Sequence, residues 1–301
     1  MDETTRKEIQ RSAERTLRDA GLTEPPLSVE RLLEHVNLYR DYYDLSDPGF
    51  LDRAKHKLTI HGRRLVEIVN KVRLRAVLLF DENRICIDND LPRIKRPWAS
   101  CHETGHRILP WHKPFFYADT AETLDPAYQA ALEEEANYAA ARLLFLGDRF
   151  ARDARDVQPT VAGVKALAKR YATSLTTTLR RYVEQGPDIA MAMLVSTPAW
   201  QARPADQEHR WRYFVQSARF QRLFPGLSAD ALRQLVDGEA RQQRGGTVAE
   251  FGFGLIDARG DRHEFHAWTF HNQHYLLTLA VEEERIAERR IVITSSRVSM
   301  A

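Results

Sequence analysis

The sequence predicts a mixed α+β protein, on three observations. Helical spacing of apolar residues dominates residues 4 to 184, a single hairpin signal interrupts it at 75 to 88, and strand-like alternation recurs between 251 and 296. At 301 residues, 43% of them hydrophobic, the chain can bury one large core or two ordinary ones. Lys and Arg total 44 against 42 for Asp and Glu, a net charge of +2. That balance supplies no global field that would demand nucleic acid or an anionic membrane.

Residues 4 to 20 form a charged helix stopped at Gly21. A second helix, Glu30 to Val36, is capped by Ser28 after the Pro25-Pro26 pair. Both should pack on the elements C-terminal to them. In RAVLLFDENRICID (75 to 88), apolar and β-branched residues flank Asp81-Glu82-Asn83, which predicts two paired strands with the turn at that triplet. Pro97 suits the first turn of a helix that runs through His102 and His106 and stops at Pro110. Asp125 caps a third long helix with Pro126 in its first turn and Gly147 as its stop. Residues 161 to 184 carry two short helical patterns, with Ser174 capping the second, in the outline of a helix-turn-helix. Gln185-Gly186-Pro187 ends that pattern, and the polar stretch from Thr197 to Pro204 marks a domain junction. Beyond it come a helix near Ala229 to Asp237 and strands at 251 to 257, 263 to 270, 274 to 282 and 290 to 296, an antiparallel meander with turns at Arg259-Gly260 and His271-Asn272. The domains are thus expected at 1–190, with a helical subdomain at 160–184, and at 195–301.

The amino-terminal stretch MDETTRKEIQRSAERTL has no apolar run that could act as a signal peptide or a membrane span. Cys86 and Cys101 are too few for a disulfide framework. A cytoplasmic protein with free thiols and no membrane partner is expected.

The chemistry concentrates at His102-Glu103-Thr104-Gly105-His106. Two histidines four apart on a helix project from one face and can converge on one ion, while Glu103 beside the first can reach a water on that ion without ligating it. With 11 histidines in the chain, H-E-x-x-H arises by chance in roughly three such chains per hundred. The pattern therefore needs a third ligand to carry weight. In LEEEANYAAARLLF, Glu133 and Asn137 share a helix face with Ala140 and Leu144, residues expected to point inward, and an acid there needs a partner. Glu133 is the favoured third ligand, with Glu134 and Glu135 as alternatives; Glu135 could instead pair with a solvent-side Arg142. Asn137 suits either a hydrogen bond that orients a ligating histidine or a simple helix-packing role. His112, Tyr128 and Tyr138 are near enough in sequence to supply a second electrophile, and nothing ranks them.

Taken together, RICIDNDLP, CHETGHRILPWH and EEEANYAAARLL resemble the ImmA/IrrE family of zinc metallopeptidases, over about residues 10 to 190. The resemblance implies a mostly helical zincin-like metallopeptidase domain with a short β-hairpin or sheet. It implies Zn2+ held by His102, His106 and Glu133, with Glu103 as general base and Asn137 in support. Family members cleave or inactivate helix-turn-helix transcriptional repressors in response to stress or in mobile elements, so the implied partner is a repressor protein. The family's basic helical subdomain resembles 160 to 184, including Leu167 to Ser174. Phe145-Leu146-Gly147 departs from the Met-Pro common after the double leucine, and 195 to 301 matches no partner domain; a sensor or substrate-docking role is the expectation there.

Two other readings compete. One is a non-proteolytic metal-binding regulator that sequesters a repressor or contacts DNA through Lys165, Lys169, Arg170, Arg180 and Arg181; the other is a toxin-like protease controlled by a neighbouring gene product. An intact Glu103 favours an enzyme. His263, His266, His271 and His274 fall within twelve residues. His263 and His266 should face opposite sides of a strand, which argues against a second metal site.

Overall fold

The computed structural model describes residues 1–43, 76–113, 126–202, 210–242 and 245–283. It is a mixed α+β protein with a three-stranded and a five-stranded sheet among those residues. Two compact units divide it: one comprises Met1–Arg149 with Arg170–Thr173, and the other comprises the remaining described residues.

The first unit opens with α1 (Glu3–Asp19), capped by the Asp2 carboxylate, which accepts the Thr5 N–H at 2.9 Å. Gly21, at φ +64°, takes the left-handed conformation that ends it. The Ser28 hydroxyl caps α2 (Val29–His35) as expected. Strand β1 (Tyr39–Tyr43) pairs in parallel with β3 (Arg84–Asp88), and β3 pairs antiparallel with β2 (Ala76–Leu79). The expected hairpin is β2–β3, and Asn83 turns it at φ +50°, a conformation asparagine tolerates better than most residues. Above this sheet lies α3 (Arg96–Ile108), with Pro97 in its first turn. Helix α4 (Pro126–Leu144) packs against both α1 and α3, and its Ala136, Ala139, Ala140 and Leu143 are buried. It ends through two left-handed residues, Leu146 (φ +56°) and Gly147 (φ +62°), whose turn returns the Gly147 N–H to the Arg142 carbonyl at 2.7 Å. The expected cap at Asp125 lies outside the described residues.

The second unit starts earlier than the polar junction suggested. Helices α5 (Arg149–Arg155), α6 (Val161–Arg170) and α7 (Leu175–Gln185) fall almost entirely within it, and β4 (Met191–Ser196) spans the position where the sequence placed a boundary. Both faces of β4 are buried, so MAMLVS shows no alternation by which to recognise a strand. Its sheet runs β5-β4-β8-β7-β6, where β5 is Trp211–Gln216, β6 Gly246–Ile256, β7 Arg262–His271 and β8 Leu276–Glu282. The meander β6–β7–β8 matches three of the four expected strands; the fourth, at 290 to 296, lies outside the described residues. Helices α8 (Ala218–Leu223) and α9 (Ala229–Glu239) close a core of Leu194, Phe220, Phe224, Leu232, Val236 and Phe265. Helix α7 packs on β4 and β5 with Leu179, Arg181, Tyr182 and Val183 buried. The second helix of the helix-turn-helix outline therefore spends one face on the sheet.

His263 ties β7 to its neighbours. Its Nδ1 lies 3.1 Å from Glu282 and its Nε2 3.4 Å from Asp257, while Arg219 donates to Glu282 at 3.2 Å. Burial opposes a charge on the ring, but the two carboxylates outweigh it and hold His263 above its ordinary pKa. Glu282 and Asp257 are held below theirs: burial works against both, but Arg219 and His263 outweigh it at Glu282, and the Asp261 and Arg259 N–H groups with His263 do so at Asp257. A raised histidine stabilises the fold below about pH 6.5 and loses that contribution as pH rises through its folded value; the lowered carboxylates lose theirs as pH falls below about 4. Thermal unfolding of the full chain should therefore show wild type losing its advantage over His263→Gln as pH is raised above about 6.5. A gap between the two that ignores pH would mean that the ring carries no charge in the fold.

Candidate metal centre

Helix α3 presents His102 and His106 one turn apart, and α4 presents Glu133 opposite them. His102 Nε2 lies 3.1 Å from one Glu133 oxygen and His106 Nε2 lies 3.5 Å from the other. One donor atom from each of the three residues falls within 4.8 Å of the others. Among the described residues this is the one group of His, Cys, Asp or Glu donors that could hold a metal ion. A tetrahedral ion bound at about 2.0–2.1 Å separates its ligands by about 3.4 Å, and each imidazole lies near that distance from one of the two Glu133 oxygens. The residues fit the ion.

What makes this approach feasible is a glycine. A Cβ on Gly105 would stand 3.0 Å from the Ala136 carbonyl oxygen and 3.1 Å from the Ala139 Cβ. Bare backbone at 105 and alanines opposite let α3 and α4 close to the range over which imidazole and carboxylate meet.

The acidic and amide positions named by the sequence have distinct surroundings. Glu133 is 57% exposed, so it sits at the rim rather than on the inward stripe the sequence suggested. Burial of its carboxyl acts upward, but the hydrogen bonds from His102 and His106 outweigh it and hold the group well below the usual carboxylate range. An exposed carboxylate at that position is in contact with solvent. Glu103 is buried, and that burial raises its pKa against the pull of the two histidines; the Leu78 backbone N–H donates to it. Asn137, one turn beyond Glu133, hydrogen-bonds His102. Burial lowers His102, but Glu133 and Glu103 together with Asn137 carry its net shift upward. Glu134 points elsewhere and meets the chain's terminal amine at 3.3 Å.

Three expectations require correction. Glu135 does not pair with Arg142: that arginine is buried and bridges Glu14 at 2.5 Å and Asp148 at 2.7 Å. Glu135 instead accepts from the Trp111 indole at 2.6 Å and contacts His112 Nε2 at 3.0 Å. His112, one of three electrophile candidates, has no exposed surface and lies 2.9 Å from His106, Nδ1 to Nδ1. Burial pushes it down to about 4, so it is a neutral ring behind His106 rather than a group facing solvent. Tyr138 is also committed, packed near Ile9 and Leu109 beneath the Arg6 guanidinium. Sequence reasoning noted both His112 and Glu135 and missed that they meet.

Other candidates fall away. Cys101 is wholly buried and its thiol is raised by burial, so it offers no thiolate. His266 faces Glu250, whereas His271 accepts from the Gly245 N–H, so the carboxyl-terminal histidines do not converge. Of the basic residues on α6 and α7, Lys165 lies over Phe270, Arg180 pairs with Glu184, and Arg181 is buried.

No protein-family profile and no curated protein matches the chain significantly. Among solved structures it is similar to a Mycobacterium tuberculosis protein described as a transcriptional regulator, at 14% identity and a TM-score of 0.53, over 93% of this chain and 90% of that one. At that identity the likeness speaks for the fold alone. No helix among the described residues is long and apolar enough to cross a membrane.

Gly105→Val should destabilise the chain by about 1–3 kcal/mol, read from chemical denaturation, because the added methyls meet backbone rather than a flexible side chain. Unchanged stability would mean that the two helices do not approach as closely as the geometry requires.

Proposed function

We propose that this chain is a zinc-dependent endopeptidase of the ImmA/IrrE type, acting in the cytoplasm on a protein substrate, a helix-turn-helix transcriptional repressor. The observation that carries the reading is the convergence of His102, His106 and Glu133 with the buried carboxyl of Glu103 adjoining them. Zinc in that cradle supplies a Lewis acid able to polarise a peptide carbonyl and acidify water. Glu103 takes the water proton and delivers it to the leaving amine; its burial, which raises its proton affinity, suits both halves of that task. Asn137 holds the His102 ring in place. The rim position of Glu133 keeps one side of the centre open to a polypeptide.

A non-proteolytic regulator is the second reading, favoured by the description of the structural neighbour and tested by the same experiment. Direct DNA contact is the weaker form of it, since α6 and α7 have engaged much of their basic surface. Zinc-loaded wild type and Glu103→Gln, matched for metal content, would be incubated with a proteome-derived peptide library and with a helix-turn-helix repressor encoded near this chain. Mass spectrometry should find new amino termini with wild type and about 100-fold fewer or less with Glu103→Gln. Equal cleavage by the two, or repressor binding by zinc-loaded wild type without any cleavage, would overturn the peptidase reading.

A further inference from the structure

Behind the ligand His106 runs a chain of three side chains that the peptidase reading does not use. Trp111 Nε1 lies 2.6 Å from Glu135 Oε2, His112 Nε2 lies 3.0 Å from that same oxygen, and His112 Nδ1 lies 2.9 Å from His106 Nδ1. His112 has no exposed surface, and 14% of the Glu135 side chain reaches solvent.

The chemistry of the partners fixes the direction of each hydrogen bond. Indole can only donate, so Glu135 Oε2 accepts from Trp111, and as a carboxylate oxygen it accepts from His112 Nε2–H as well. A neutral imidazole carries one N–H, which leaves His112 Nδ1 as an acceptor. Two ring nitrogens 2.9 Å apart share one proton; with His112 accepting, His106 Nδ1–H donates it. His106 Nε2 is then the ring nitrogen that faces the Glu133 oxygen, 3.5 Å away. With Nε2 deprotonated, that nitrogen and the carboxylate could share a cation.

We propose that His112 and Glu135, anchored by Trp111, form a positioning relay that locks His106 into its Nδ1–H tautomer and so preorganises Nε2 as a metal ligand. This inference rests on the proposed metal centre for its purpose, while the tautomer itself stands on the hydrogen-bond chain alone. Neither residue touches substrate. Both act by fixing the ring that does the binding, as outer partners of metal-bound histidines commonly do.

The test uses the full chain, metal-free and zinc-loaded. Long-range proton–nitrogen NMR of the metal-free protein at about pH 8 should show His106 protonated at Nδ1 and His112 at Nε2. Competition titration with a chromophoric chelator should show His112→Phe, which removes the acceptor, weakening zinc binding by about 10- to 100-fold. His112→Gln, whose amide oxygen can accept from Nδ1–H, should stay within about threefold of wild type. An Nε2–H tautomer on His106 in wild type overturns the relay, as does equal zinc affinity in the Phe variant. If both variants misfold, the wild-type spectrum decides alone. Wild type that shows the Nδ1–H tautomer but binds no zinc would retain the relay and sink the metal-centre reading.

Discussion

The close contact of α3 with α4 at Gly105 is the constraint on which the site depends. A side chain there would crowd the Ala136 carbonyl, and helices pushed apart at this point would draw the imidazoles and the Glu133 carboxylate away from each other. The small residues are therefore part of the chemistry. They trade core volume for proximity, and α1 covers the pair from the other side, with Ser12 donating to the Ile108 carbonyl at 2.9 Å and Arg142 drawn to Glu14.

Around this contact, the same helices sort four carboxyl or amide groups into different roles by environment. Glu133 meets solvent and two imidazoles and is held ionised; Glu103, on the opposite helix, is buried and pushed towards its protonated form. Separating two acids in this way is how one site can offer both a permanent anion for a metal and a carboxyl poised to exchange a proton. Glu135 lies behind His106 and is engaged by Trp111 and His112, so the acidic run at 133 to 135 contains a ligand candidate, a solvated acid and a half-buried acceptor in consecutive positions.

Much of the helical framework was legible because its signals are local. Caps at Ser28 and Ser174, the turn at Asn83 and the stop at Gly147 all rest on side chains or backbone conformations that act within a few residues. The pairing of Glu133 with His102 was also within reach, since i, i+4 spacing on each of two helices leaves few ways to bring three donors together. What escaped was long-range. β1 joins its sheet through a parallel partner more than forty residues away, and β4 hides its strand character by being buried on both faces. Helices α6 and α7 were visible as helices, but no local signal says which unit they join. The His112 relay needed the path of the chain through Leu109-Pro110-Trp111, which spacing alone does not give.

His102, His106 and Glu133 should together bind one metal ion. Metal content by mass spectrometry, on chain exposed to zinc and freed of loosely bound ions, tests it most directly when wild type is set beside a properly folded Glu133→Ala. About one zinc per wild-type chain is expected, and a small fraction of that in the variant. Wild type without zinc, or a variant that keeps its full equivalent, would contradict it.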